Sequence, residues 1–299
     1  MILYTLGRLR SIGKDLHSNH FTLSPRRARY TYLLNMDQDS IRLSVFILVL
    51  LSMAVLETLW PRKERVGKRT TRWVNNISLS IINTFALKIL GPITAIAAAH
   101  YAQANGYGII TLFRAKLPLW LDIVIAFALL DFLIYLQHVL SHKIPLLWRF
   151  HKVHHADRDI DVTTGFRFHP IEILFSMLYK CAVILIIGPL AIAVFLFEVV
   201  LNGSAMFNHA NLRLPLWLDK ILRIFVVTPD MHRVHHSTIQ TETDSNYGFF
   251  LSLWDRLCRT YIAQPKKGHD DMTIGLEEFQ TDSPASLPWN LTVPFKRHN

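Results

Sequence analysis

Imidazole is the recurring reagent of this chain. Ten of its 15 histidines lie between residues 138 and 236, eight of them in three tight boxes. H-V-L-S-H carries His138 and His142, H-K-V-H-H carries His151, His154 and His155, and H-R-V-H-H carries His232, His235 and His236. Two single histidines stand between the second and third boxes, His169 in R-F-H-P and His209 in F-N-H-A-N. On a helix, residues three and four apart project from one face, so each box aims two or three imidazoles at one point. Neutral imidazole suits zinc, copper, iron and nickel, and neither a thiolate cluster nor a carboxylate cage competes here. Roughly nine ligands are too many for one ion and suit two, at about four to five nitrogens each.

Carboxylates that accept the distal N–H of a ligating imidazole would fix its tautomer. Asp131, Tyr135, His138 and His142 share one helix face. A charge inside an apolar span makes Asp131 a functional candidate by default. Glu172 stands one turn from His169, and Asp157 and Asp161 follow the second box. Arg149, Lys152, Arg158, Arg167 and Arg233 surround the boxes, either anchoring to anionic lipid or contacting an acidic head group or donor protein. The aromatics Trp148, Phe150, Phe166, Phe168, Phe207, Tyr247, Phe249 and Trp254 either line a substrate channel or belong to core and interface belt.

The elements that must position these groups are membrane helices. Hydrophobic residues make up 51% of the 299, against 18% charged, with long apolar runs, which describes an all-α polytopic membrane protein. The net charge of +10 is read as basic loops facing anionic lipid, not as a nucleic-acid surface. Two cysteines, Cys181 and Cys258, imply no disulfide framework.

Three segments are long enough to cross a bilayer, at about 41–60, 74–99 and 119–137. The loop after the first holds six Lys/Arg in residues 61–72, whereas 100–118 holds only Arg114 and Lys116. The positive-inside rule therefore puts 61–73 in the cytoplasm, and the third span delivers His138 and His142 there. The apolar region 173–201 would make a helix of about 44 Å, too long for one crossing and too short for two. Gly188-Pro189 breaks it, and a single crossing would strand the third box on the far side. A re-entrant or short helical hairpin is expected there.

Residues 216–228 and 249–261 read as helices lying in the interface. The tail, 263–299, reads as polar, cytoplasmic and partly disordered. Residues 1–35 are basic and lack a signal-peptide pattern; either translation starts at Met36 or they form a basic arm. The membrane domain thus runs over 36–262. L-P-L-W-L-D recurs at 117–122 and 214–219 and is read as repeated helix-start chemistry, with Asp122 a charge in a first turn.

The boxes and their flanks together resemble the sterol desaturase/fatty acid hydroxylase superfamily. The flanks are W-R-F-H-K-V-H-H-A-D, T-T-G-F-R-F-H-P-I-E, F-N-H-A-N and T-P-D-M-H-R-V-H-H-S followed by D-S-N-Y-G-F, and they look like its bacterial members. The resemblance covers about 41–262. It implies a membrane-embedded non-haem di-iron oxygenase of the bacterial inner membrane, holding two Fe ions (or Zn as purified) and acting with O₂ on a lipid C–H bond. By position, the eight box histidines are the implied ligands, and His209 matches a histidine ahead of the third box in relatives. Some members carry another four residues on, where this chain has Arg213. That leaves one metal's coordination number open, with His169 as ligand or support.

The chain has no G-x-G-x-x-G fingerprint, C-x-x-C-H haem site or iron–sulfur cysteine set, so electrons must come from a ferredoxin or cytochrome with its reductase. Hydroxylation is favoured over desaturation and over ether-lipid oxidation, which spacing does not separate. A divalent-metal transporter is the alternative from another class, but it would want ligands on broken helices at mid-bilayer depth. A bis-histidine haem cytochrome would need matched pairs on facing spans. A zinc hydrolase would offer H-E-x-x-H, which does not occur.

Overall fold

The computed structural model describes residues 38–296; the Met36 question and the basic extension lie outside them. The chain separates into two compact units, 1–41 and 42–299. Of the first, only the opening turn of a helix is described; the histidine boxes and the helices that carry them lie in the second.

Among the described residues, ten α-helices run from Gln38 to the third histidine box. They are α1 (Gln38–Leu59), α2 (Arg69–Ile89), α3 (Ala95–Asn105), α4 (Ile109–Phe113), α5 (Leu119–Lys143), α6 (Pro145–His155), α7 (Pro170–Ile187), α8 (Ala191–His209), α9 (Leu216–Phe225) and α10 (Pro229–His235). No strand forms among the described residues. Among the described residues, four helices, α1, α5, α7 and α8, are long and apolar enough to cross a membrane. Leu43, Leu48, Leu51, Val55 and Leu59 of α1 are exposed, as expected where the surrounding medium is hydrocarbon rather than water.

The expected second span, 74–99, is not one continuous helix. Gly91 takes φ +61°, Pro92 follows, and the chain restarts at Thr94, whose side chain accepts from Ala97 N. Helical geometry cannot pass through this pair, because proline lacks the N–H and disfavours a helical residue before it. The helix before the break does not face lipid all round. Asn75, Asn76 and Asn83 of α2 are buried; Asn76 donates to Thr163 Oγ1 at 2.9 Å and Asn83 to the Phe168 carbonyl at 3.0 Å. The polar face of α2 holds the loop that follows the second box.

The hairpin between α7 and α8 is present. Gly188 caps α7 in the left-handed region at φ +67°, its N–H bonded to the Ile184 carbonyl at 2.8 Å. A Cβ on Gly188 would collide with the Tyr107 carbonyl, and one on Gly108 (φ +101°) with the Gly188 backbone. The two loops therefore cross glycine on glycine. The buried Arg114 donates to the Gly188 carbonyl and pairs with Asp122 at 2.8 Å. Beneath the turn, Ala95, Ala99 and Ala102 of α3 are all buried, and small residues at this spacing let neighbouring helices approach closely. Side chains of α3, α5, α7 and α8 share one apolar core.

Both L-P-L-W-L-D copies do open helices, α5 and α9. The expected interfacial helix appears as α9, with Leu216, Trp217, Ile221, Ile224 and Phe225 exposed. Arg223 faces inward and pairs with Asp219. Of 249–261, only Leu253–Leu257 is helical. The tail departs from the expectation of a loose polar segment: Phe279 and Val293 are buried with Leu79, Val153 and Ala156. Its polar atoms are used as ligands of the core: the buried Arg167 donates to Asn290 Oδ1 at 2.6 Å and to the Pro284 carbonyl at 2.8 Å.

Candidate metal centre

Prolines start the helices that carry the second and third boxes. Pro145 opens α6 and Pro229 opens α10, each at the first helical position, where its missing N–H has no partner to lose. His138 and His142 end α5, and His209 is the last residue of α8. The structure brings nine of the ten candidate histidines into two groups: His138, His142, His151, His155 and His235 in one, His154, His209, His232 and His236 in the other. Within each group the ligand nitrogens lie within 4.8 Å of one another.

Tautomers follow from the acceptors. His138 Nδ1 lies 2.7 Å from the Tyr247 carbonyl and His235 Nδ1 2.7 Å from that of Ser245. His209 Nδ1 is 2.6 Å from the Ala205 carbonyl and His154 Nδ1 3.2 Å from that of Arg167. His151 Nδ1 is 2.6 Å from Glu172 Oε1. Carbonyl oxygens only accept, so Nδ1 carries the hydrogen in these rings and Nε2 is a bare lone pair. Yet Nε2 of His138 sits 3.1 Å from Nε2 of both His151 and His235. Nε2 of His209 sits 3.1 Å from His154 Nε2 and 3.0 Å from His232 Nε2. Between His138 and both His151 and His235, and between His209 and His154, these are facing lone pairs, which repel at that distance unless a cation lies among them. The spacing is that of cis nitrogens in an octahedron with bonds of about 2.1 Å.

Other nitrogens make the same point. Both ring nitrogens of His142, His155 and His236 are buried without a hydrogen-bond partner among the described residues; such groups cost free energy unless something binds them. Burial and the neighbouring imidazoles hold His154, His155, His232 and His236 well below the usual histidine range. Burial pushes His235 down to about 3. The rings are thus neutral at pH 7, the form a metal requires. The donor set fits metal ions.

Aromatic rings enclose the groups. Phe168 stacks on His154 at 4.6 Å between centroids, Phe249 lies 4.9 Å from His138, and Trp148 and Tyr247 each lie 5.0 Å from His142. Neither cysteine belongs to a group.

His169 stands apart from both groups. It caps α7, Nδ1 accepting from Ile171 N at 3.2 Å, with Nε2 3.4 Å from the Leu291 carbonyl. Preceding Pro170, it is held in extended backbone at a helix start, where a side-chain acceptor satisfies an orphan N–H. Arg213 does not approach the smaller group; it is exposed and faces Asp270. Glu172, noted in the sequence for its place one turn from His169, instead lies on the imidazole of His151. Asp131 does not: its carboxylate accepts from Leu251 N at 3.1 Å and Trp254 Nε1 at 2.8 Å, anchoring the loop after the third box. Asp157 and Asp161 hold the buried Arg72 at 2.7 and 2.5 Å. Arg167 and Arg233, read from sequence as lipid or partner contacts, are fully buried braces; Arg233 pairs with Asp230. The carbonyls of Tyr247, Ser245, Ala205 and Arg167 escape sequence reading, because a backbone oxygen carries no residue signature.

The fold and this site define an all-helical membrane protein with a buried polyhistidine centre. A family profile described as fatty acid hydroxylase matches residues 123–260, which run from α5 past the third box. An ornithine lipid hydroxylase of Rhizobium tropici is 28% identical over 235 residues, covering 77% of this chain and 70% of its own. Alkylglycerol monooxygenase of Homo sapiens is 27% identical over 162 residues, 52% of this chain and 34% of its own. That of Xenopus tropicalis is 31% identical over 152 residues, 50% and 32%. The chain spans about a third of these monooxygenases. No solved structure matches the chain significantly. Over residues 123–260 the chain is thus similar to the fatty acid hydroxylase family, and the relatives it matches are lipid hydroxylases and monooxygenases.

Proposed function

We propose that this chain is a di-iron monooxygenase that uses O₂ to hydroxylate a C–H bond of a membrane lipid. The observation that carries the reading is the pair of imidazole groups with their Nε2 lone pairs turned inward. Five imidazoles would hold one ion and four the other, while Glu172 orients His151. Iron, when bound there, supplies one-electron redox chemistry and a place for dioxygen to bind. The protein's part is to keep the rings neutral and fixed, to offer no thiolate for an oxidant to attack, and to exclude water with aromatic walls.

The remaining parts of the reading rest on sequence and wiring. Arg62 bonds Asp230, two residues before His232, and Arg72 holds the loop after the second box. The basic segment 61–72 therefore shares a face of the protein with the boxes. That face is the cytoplasmic one of a bacterial inner membrane by charge bias, where a separate ferredoxin or cytochrome with its reductase delivers electrons. The alkylglycerol monooxygenases among the relatives favour one second reading, oxidation of an ether lipid.

The test is metal analysis of detergent-purified protein together with a lipid-product screen under isotopically labelled dioxygen. About two metals per chain, iron among them, and labelled oxygen in a hydroxylated lipid are expected. An aldehyde released from an ether lipid would move the assignment to the second reading. Fewer than two metals, or metal without an oxidised lipid under any donor, would overturn both.

A further inference from the structure

One cavity adjoins the centre without belonging to it. A cleft of about 150 Å³ lies between α6 and α7, walled by Leu146, Leu147 and Phe150 on one side and Ile171 and Phe175 on the other, with Ser141 of α5 also lining it. Leu146 is 61% exposed, and Ile171 and Phe175 are each 40% exposed, so these three form its mouth. Glu172 also lines it, with a side chain only 11% exposed and Oε1 on His151. The cleft thus narrows from an apolar surface to the carboxylate that orients a ring of the five-imidazole group.

Its setting names the occupant. Ile171 and Phe175 belong to the first turns of α7, a helix long and apolar enough to cross the membrane. Leu140, Ile144 and Leu178 extend the exposed apolar surface around the mouth. A surface of this kind on a membrane helix meets acyl chains. By volume alone, about 150 Å³ is the space that benzene, six carbons, fills in an apolar cavity, so the cleft has room for a short stretch of hydrocarbon chain.

We infer that the cleft takes one hydrocarbon chain of a membrane lipid, entering sideways from the bilayer. The inference deepens the lipid-oxygenase reading and rests on it for the chemistry, though not for the binding. Moving a chain from the bilayer into the cleft exchanges one apolar medium for another and gains no hydrophobic free energy. The cleft therefore selects by shape and depth, through packing against the side chains of Leu146, Ile171 and Phe175.

The experiment is photolabelling of the purified protein in nanodiscs with a phospholipid carrying a diazirine on its acyl chain, mapped by peptide mass spectrometry. Labelling requires no turnover. Saturable labelling of 144–150 and 170–178, competed by unlabelled lipid and reduced at least fivefold in Leu146→Trp and Ile171→Trp at unchanged metal content, is the expected result. Labelling that does not saturate, spread equally over the exposed face of α1, would overturn the inference, as would full cleft labelling in both folded tryptophan variants. If those variants fail to fold, saturation and competition on the native chain decide. Saturable cleft labelling without any oxidised lipid would sink the oxygenase reading and keep the cleft. An oxidised lipid with no cleft labelling would do the reverse.

Discussion

Nε2 of His138 and Nε2 of His235 lie 3.1 Å apart across 97 residues of chain, and each ring is turned by a backbone carbonyl of the 245–247 loop. A first-box and a third-box ligand are thus set by one loop, and the other group shares none of its rings with them. Single-ligand variants should therefore empty one site at a time. His235→Ala is expected to lower the metal load from about two to about one, and His209→Ala to remove the other ion, by elemental analysis with a spectroscopic signature for each. Loss of both ions in both variants would show that the groups bind as one unit.

Glu172 should matter through His151 rather than through bulk charge. Glu172→Ala leaves the His151 Nδ1–H without its 2.6 Å acceptor and is expected to weaken metal binding about 10–100-fold, the usual cost of losing such a support. Glu172→Gln keeps an acceptor oxygen and should fall between. Competition with a chelator reads both; equal affinity in all three proteins would remove Glu172 from the site.

The loop crossing makes a stability prediction with its own control. Gly188→Ala and Gly108→Ala each place a Cβ into backbone at a positive φ and should lower stability by at least about 2 kcal/mol. Gly203→Ala meets open space inside α8 and should be neutral or stabilising by up to about 1 kcal/mol. Thermal unfolding in detergent compares them.

His269 provides a pH dependence away from the metal groups. Burial outweighs the Asp230 carboxylate 3.6 Å away and pushes its pKa down to about 4. A lowered folded pKa means that the unfolded chain binds the proton first. The stability is therefore complete above about 6.5 and lost as pH falls towards 4, by roughly 1.4 kcal/mol per pH unit. The difference in unfolding free energy between native protein and His269→Gln should shrink over that window; a constant difference would show that folding leaves the His269 pKa unshifted.

The ligands are legible in the sequence because a metal needs several imidazoles and a helix brings them together only at spacings of three and four. How the boxes are shared between the groups is not. Neighbouring residues on a helix point about 100° apart, so His154 and His155 diverge, and the second and third boxes each feed both groups. The hairpin at Gly188 is legible because one site needs its ligands on one face. The segment 74–99 differs from a plain lipid-facing span because average apolarity hides Asn75, Asn76 and Asn83, which are buried on α2, Asn76 and Asn83 bonded inward. The order of the tail is hidden because its buried apolar residues, Phe279 and Val293, are far apart in a polar segment, and the rest of its hold on the core is a few polar atoms, Asn290 above all; hydrogen bonds leave no periodicity.

The hairpin is a ruler as well as a turn. Its arms are 18 and 19 residues long, about 27 and 28 Å at 1.5 Å per residue, and the second ends on His209 itself. One residue inserted in α8 would carry that imidazole 1.5 Å along and about 100° around the axis, away from His154 and His232. The lipid-facing side of this helix is free to change its side chains over evolutionary time. Its length is not, and in this chain a single-codon insertion or deletion there is expected to be more damaging than most substitutions.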